Sequence, residues 1–310
     1  MKRIIGLAII NIVAIALLGI LTPYFLTKAN LIVLVDNMAL EVVILSGYTL
    51  LLISGNFDLS IDGIAALSGI TAGIMMTNGV NWILAIIVAL LLSGTIGIIN
   101  GIVVSKLNIN GLIATLTSWW ICIGISLGIT KALAPYNFPE AFQLIGQARV
   151  FGFRILVFYA LVSILILSFV LHMTPLGVHI YATGGNSGAA DLMGIDIIKL
   201  GIGMYLLVGL LAGFIGIVTA ARLNAASPFA VDGMALRVIA AIVIGGGKLS
   251  GGEGTIIGGL LGLCLMAVLS NAMIQLGINP YWQKAILGSI LLIAVLSEKL
   301  NLNRQRRIEA

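Results

Sequence analysis

PLGVHIYATGGNSGAADLMGIDIIK, residues 175–199, is a polar island between two long apolar runs and follows the pattern of neither. Within it, Ala189 to Met193 reads as a short helix, with Asn186 or Ser187 as its N-cap and Gly194 as its terminator. A short capped helix projecting from a bundle is a surface that another protein can grip. The plainer reading is an ordered loop.

The island stands out because of what surrounds it. Of 310 residues, 60% are hydrophobic and 9% charged, and the mean hydropathy is +1.19. That is the composition of a polytopic membrane protein. One crossing takes about 20 apolar residues. The chain is therefore read as one all-α transmembrane domain over residues 1–310, with about ten helices. The expected spans are roughly 4–20, 31–54, 61–77, 82–104, 112–130, 153–172, 200–221, 236–246, 255–276 and 281–296. The first follows Met1, Lys2 and Arg3 and is expected to stay uncleaved, because no small-residue cleavage site comes after it. Lys299, Arg304, Arg306 and Arg307 at one end and Lys2 and Arg3 at the other predict that both termini are cytoplasmic. The island is then cytoplasmic, and the longest external loop is 131–151. The net charge of +5 reflects this bias. With no basic stripe or aromatic platform beside it, nucleic acid is not expected as a partner.

Glycines at small-xxx-small spacing, Gly69 with Gly73, Gly97 with Gly101, Gly124 with Gly128, Gly209 with Gly213 and Gly258 with Gly262, predict closely approaching helix backbones. Trp82, Trp119, Trp120, Tyr281 and Trp282 read mostly as interfacial anchors.

Two glycine-containing breaks interrupt the apolar pattern. SGNFDLSIDG (54–63) follows the second span and GGGKLSGGEG (245–254) follows the eighth. Aligning Gly55 with Gly245 puts Asp58 on Lys248 and Ser60 on Ser250, a weak repeat of two halves at an offset of 190. The eighth run, about 11 residues or roughly 17 Å of helix, is too short to cross alone. Paired broken helices point to a translocation path.

Asp36 and Glu41 fall inside the second apolar run, where a carboxylate near the bilayer centre costs about 2.5–3.5 kcal/mol. Asp36 is expected nearer the interface. Two readings fit Glu41: a polar face turned to a cavity, or a carboxylate that is tied to a neighbouring helix or simply protonated. Asn37, Asn100, Asn108, Asn110 and Asn271 add amides suited to a neutral polar solute.

Enzyme chemistry finds no support. LSGGE (249–253) and GGGKLS imitate nucleotide motifs, but a phosphate loop needs glycine where Ile242 stands and Ser or Thr where Leu249 stands. His172 and His179 have no carboxylate or thiol at ligand spacing, so no metal is expected. Cys122 and Cys264 lie in apolar runs as small hydrophobes.

GGNSGAADLMGI (184–195), TAARLNAASPFAVDG (219–233), AAIVIGGGKLSGGEGTIIGGLLG (240–262), NPYWQKAILGSILLIAVL (279–296) and SGNFDLSIDGIAALSG (54–69) run in order over nearly the whole chain. Together they resemble the permease subunits of ABC importers for monosaccharides, of the ribose, xylose and autoinducer-2 type, within the branched-chain amino acid and monosaccharide permease superfamily. Asn56 departs from this pattern, standing where glycine is expected. The resemblance implies a subunit of the bacterial inner membrane without catalysis or cofactor. Its implied partners are a second permease chain, a separate ABC ATP-binding subunit, and a solute-binding protein delivering a ribose-like pentose or related sugar. It implies coupling to the ATPase through Gly185, Asn186, Ala189, Ala190, Gly194 and Ile195. Glu41, Asn56, Asp58, Ser60 and Lys248 are candidates for the pathway or its gate. Two alternatives remain: a permease of the same superfamily for amino acids or nucleosides, and a stand-alone transporter or channel using Glu41.

Overall fold

The computed structural model describes residues 2–279 and, beyond them, residues 282, 285, 286, 288, 289 and 292. Most of the tenth expected span, 281–296, and all of the basic tail lie outside the described residues.

Twelve α-helices occur among the described residues: α1 (Lys2–Leu21), α2 (Lys28–Ile53), α3 (Ile61–Thr77), α4 (Trp82–Gly101), α5 (Gly111–Thr130), α6 (Glu140–Gln147), α7 (Ile155–Met173), α8 (Pro175–Gly185), α9 (Ser187–Leu192), α10 (Ile197–Leu223), α11 (Met234–Ile244) and α12 (Ile256–Gln275). A π-helical turn, Ile102–Lys106, prolongs α4. Strands β1 (Arg149–Val150) and β2 (Phe153–Arg154) form a small antiparallel hairpin before α7. Among the described residues, seven helices are long and apolar enough to cross a membrane: α1, α2, α4 with its extension, α5, α7, α10 and α12. The third and eighth expected spans are shorter, at 17 residues for α3 and 11 for α11.

The short α3 is explained by the segment before it. After α2 ends, residues 54–60 turn back into the bundle without helical structure. Non-helical backbone at that depth must find internal partners. It does: the Asp58 N–H donates to the Tyr48 hydroxyl at 3.0 Å, the Leu59 N–H donates to the Thr115 hydroxyl at 2.9 Å, and the Tyr205 hydroxyl donates to the Phe57 carbonyl at 2.8 Å. Three helices thus hold one re-entrant strand of chain.

The bundle is built around α10, which packs along α3 and α4 through small residues. A β-carbon at Gly97 would sit 3.1 Å from the Leu206 α-carbon, and one at Gly209 would sit 2.9 Å from the Gly97 α-carbon. A β-carbon at Gly216 would collide with the Ala65 carbonyl. Gly258 and Gly262 of α12 abut α11 in the same way. The expectation fails for Gly124 and Gly128, which meet no other part of the described chain, and for Gly73, which meets Phe138 and Pro135 rather than another spanning helix. Trp119 and Trp120 lie midway along α5 and not at an end, so interfacial anchoring does not explain them. The expected external loop is itself structured, since α6 lies across the end of α10 with Gly146 against Arg222.

Overpacking a close helix contact costs about 1–3 kcal/mol. Gly216→Val is therefore expected to lower the melting temperature and folded yield of the detergent-solubilised chain. Gly203→Ala, where nothing lies within 4 Å of the added carbon, is expected to leave both unchanged.

Candidate functional site

The polar island folds as two helices at the end of the bundle where α2 finishes. Pro175 opens α8 in the first turn, where its missing N–H costs nothing. Asn186 then breaks the helix with extended backbone (φ −157°, ψ 96°), and its side-chain oxygen accepts from the Ala189 N–H at 3.0 Å. It is the N-cap of α9, which begins at Ser187, two residues before the expected helix. Gly194, at φ +84°, ends the element as expected. The Ile195 N–H reaches back to the Ala190 carbonyl at 3.1 Å and the Gly194 N–H to Asp191 at 2.9 Å, a Schellman closure. Ala190 faces inward and is buried, whereas Gly185, Asn186 and Ala189 are exposed. At the tip, Leu192 and Met193 are 91% and 83% exposed. Beyond them Asp196 caps α10, and the amide and ammonium of Lys199 hold its carboxyl below the usual range.

Three backbone segments meet just behind this tip. The Gly252 N–H donates to the Ile53 carbonyl at the end of α2 at 2.8 Å. A β-carbon at Gly184 would collide with that same carbonyl, one at Gly251 would lie 2.7 Å from the Gly55 α-carbon, and one at Gly252 would lie 2.9 Å from the Gly185 α-carbon. The Tyr181 hydroxyl of α8 donates to the Gly254 carbonyl at 2.8 Å. The loop 245–255 is folded on itself by a Lys248–Glu253 ion pair and by the Lys248 N–H donating to the Glu253 carbonyl at 3.0 Å. Lys248 is therefore a loop clamp at this junction.

The two glycine-containing breaks correspond in geometry, at a different register from the sequence alignment. Ser54 (φ −69°, ψ −1°) ends α2 and Gly245 (φ −67°, ψ −9°) ends α11. Each is followed by a left-handed glycine, Gly55 at +84° and Gly246 at +102°. The N–H groups of Gly55 and Asn56 return to Leu52 and Leu51; those of Gly246 and Gly247 return to Val243 and Ile242. The offset is thus 191 rather than 190. It places Phe57 on Lys248 and Asp58 on Leu249, and removes the pairing of Asp58 with Lys248. Asn56 itself has no positive φ, because Gly55 makes the turn; its amide donates to the Ser54 hydroxyl at 3.0 Å. The glycine expected at 56 is not required.

Asp58 and Ser60 are buried together. One Asp58 oxygen accepts from the Ser60 N–H at 2.7 Å and the Ser60 hydroxyl at 2.5 Å, while the Asn100 amide donates to that hydroxyl at 2.9 Å. Asp62, two residues on, has a part that sequence reasoning missed. Only 7% exposed, it lies in the first turn of α3 and accepts from the N–H groups of Gly233 at 2.8 Å and Ala235 at 2.9 Å, which begin α11. One carboxylate therefore stands at the positive ends of both short helices. The signal was present as an acidic residue just after the Ser60 cap position.

Glu41 is elsewhere, midway along α2. Its carboxylate pairs with Arg237 of α11 at 2.7 Å, beside Arg222, which donates to the Asn37 side chain at 2.7 Å. Both readings of Glu41 hold at once, because it is tied to a neighbouring helix and also lines a cleft of about 300 Å3. Asp36 is buried and paired at 2.9 Å with Arg154, the residue that precedes α7. Arg222 and Arg237 were overlooked; a cation within or beside an apolar run was their signal. The candidate residues thus fall into three places: Glu41 at this cleft, Asp58 and Ser60 in the buried re-entrant segment, and Asn56 and Lys248 at the junction behind α9.

The described residues thus form a bundle of apolar helices with two short helices buried in it and a small helical handle projecting from one end. The chain belongs to the family described as branched-chain amino acid transport system / permease component, whose model matches residues 30–295. It is 36% identical over 290 residues to the ribose import permease protein of Escherichia coli (strain K12), covering 92% of this chain and 90% of that one. It is 33% identical over 297 residues to the D-allose transport system permease protein of the same organism, covering 95% and 91%. It is 32% identical over 304 residues to the L-arabinose ABC transporter permease protein of Azospirillum brasilense, covering 98% and 90%. No solved structure matches the chain significantly.

Asp62→Asn leaves one acceptor for two amides, so an N–H of α11 loses its partner. Hydrogen bonds to a charged acceptor contribute about 1.5–3 kcal/mol. The variant is expected to melt several degrees lower in detergent than the wild type, with α11 the first region to gain amide hydrogen exchange.

Proposed function

We propose that this chain is the membrane-spanning subunit of an ATP-driven importer that carries a monosaccharide, a ribose-like pentose or a related sugar, into the cytoplasm. A separate ABC ATPase drives it, a solute-binding protein feeds it, and a second permease chain completes the path. Its termini and the α8–α9 handle face the cytoplasm, and the Glu41 cleft opens outward. Support for the sugar comes from relatives named for ribose, allose and arabinose.

The observation that carries the reading is the junction behind α9. A partner pushing on α9 moves Gly184 and Gly185, whose backbone is in contact with the end of α2 and with the loop after α11. No long side chain intervenes, so little of the movement is lost in rotamer changes. Leu192 and Met193 supply the apolar tip that a partner would cover. Gly185, Asn186, Ala189, Ala190, Gly194 and Ile195 then shape and seat the handle. Glu41 is accounted for by Arg237, so the stand-alone transporter loses the residue that motivated it.

The test begins with gentle purification of the tagged chain from native membranes. An ATPase is expected to accompany the wild type, and Leu192→Asp with Met193→Asp is expected to reduce its recovery at least tenfold while the chain stays folded. Full recovery of the ATPase with the double variant would sink the coupling role. Gly185→Phe, placed where a side chain meets nothing, is expected to retain the ATPase but uncouple its hydrolysis from sugar uptake.

A further inference from the structure

The cleft between α2, α10 and α11 has a composition that pairing alone does not explain. Glu41, Arg237, Arg222 and Asn37 present a carboxylate, two guanidinium groups and an amide to a space of about 300 Å3, within the size range of small-molecule sites. Thr219 of α10 lines the same cleft. It is only 6% exposed, and its hydroxyl has no hydrogen-bond partner among the described residues. A buried hydroxyl is ordinarily satisfied, so one left open beside a polar cleft marks a place where a partner is missing.

Charge narrows what that partner is. The guanidinium groups of Arg154, Arg222 and Arg237 stand among the carboxylates of Asp36, Glu41 and Asp62, with Asp232 at the edge. Arg154 and Arg237 are paired with carboxylates, and Arg222 is bound to Asn37. Arg222 is bonded to a neutral amide, but three carboxylates stand against the three guanidinium groups, so an ion entering the cleft finds no surplus countercharge. A neutral molecule rich in hydroxyls would not need one, since each hydroxyl both donates and accepts. We infer that this cleft is a binding site for a neutral polyhydroxylated ring, with Glu41 accepting from its hydroxyls, Arg222 and Asn37 donating to them, and Thr219 closing the site. The inference rests on the sugar reading above and assigns it a place on this chain.

The test is uptake by cells whose importer carries the wild-type chain, Thr219→Val or Asn37→Leu. Labelled ribose, allose, arabinose and single-deoxy analogues of the sugar carried are supplied at saturation. Thr219→Val removes only an unpartnered hydroxyl, so folding is expected to be unaffected. Each variant is expected to slow the intact sugar about fivefold to tenfold, the effect of one hydrogen bond, and to spare the analogue that lacks the contacted hydroxyl. Rates equal to wild type would overturn the site. So would one common slowing of every sugar and analogue, which is the signature of a structural defect or of lost binding-protein docking. If the wild type carried none of these sugars, the sugar reading would fall and the site with it.

Discussion

Close backbone contact is the constraint on which this structure depends. Lipid offers helices no hydrophobic reason to associate, so packing at short range must hold them. Along α10 the contact is nearly bare backbone: Gly209 lies on Gly97, and Gly216 lies on Ala65. With α10 so tightly seated, Tyr205 can reach the Phe57 carbonyl and help hold the re-entrant segment inside the bundle. The same rule operates at the handle end, where Gly184, Gly251 and Gly55 leave no room for β-carbons.

Two short helices follow from that packing. α3 and α11 each begin inside the protein, and their first-turn amides would be orphaned there without a partner. Asp62 supplies one for α11 while sitting in the first turn of α3. At its far end α11 closes with the same backbone bonds that close α2. Each of these helix ends then leads into a glycine-rich loop packed behind α8. The Glu41 cleft and the handle thus bear on the same two helices, α2 and α11. Glu41 and Arg237 join the middle of α2 to the first turn of α11, and the Ile53 carbonyl with Gly252 joins the end of α2 to the loop after α11.

Much of the handle was legible. Asn186 and Gly194 are residues whose chemistry favours a cap and a left-handed terminator, and both act so. Helix α8 was not read, because its small and polar residues carry no apolar period. The repeat was noticed but misregistered by one residue: matching Leu and Ser letters chose an offset of 190, whereas the hydrogen bonds of the helix ends choose 191. Gly124 and Gly128 share the spacing of true contact pairs yet face no helix among the described residues. Spacing shows that a face is small and not which neighbour it meets.

The sequence by itself determined that the chain is a helical membrane protein, where most of its apolar helices run, and that residues 175–199 form a separate handle, because apolar run length, cap chemistry and turn glycines act over a few neighbouring residues. Only the tertiary structure decided that Asp62 serves α11, that Glu41 meets Arg237 across 196 positions, and that Gly184 rests on the end of α2. Those contacts join residues far apart in the chain, and their partners are selected by how whole helices pack.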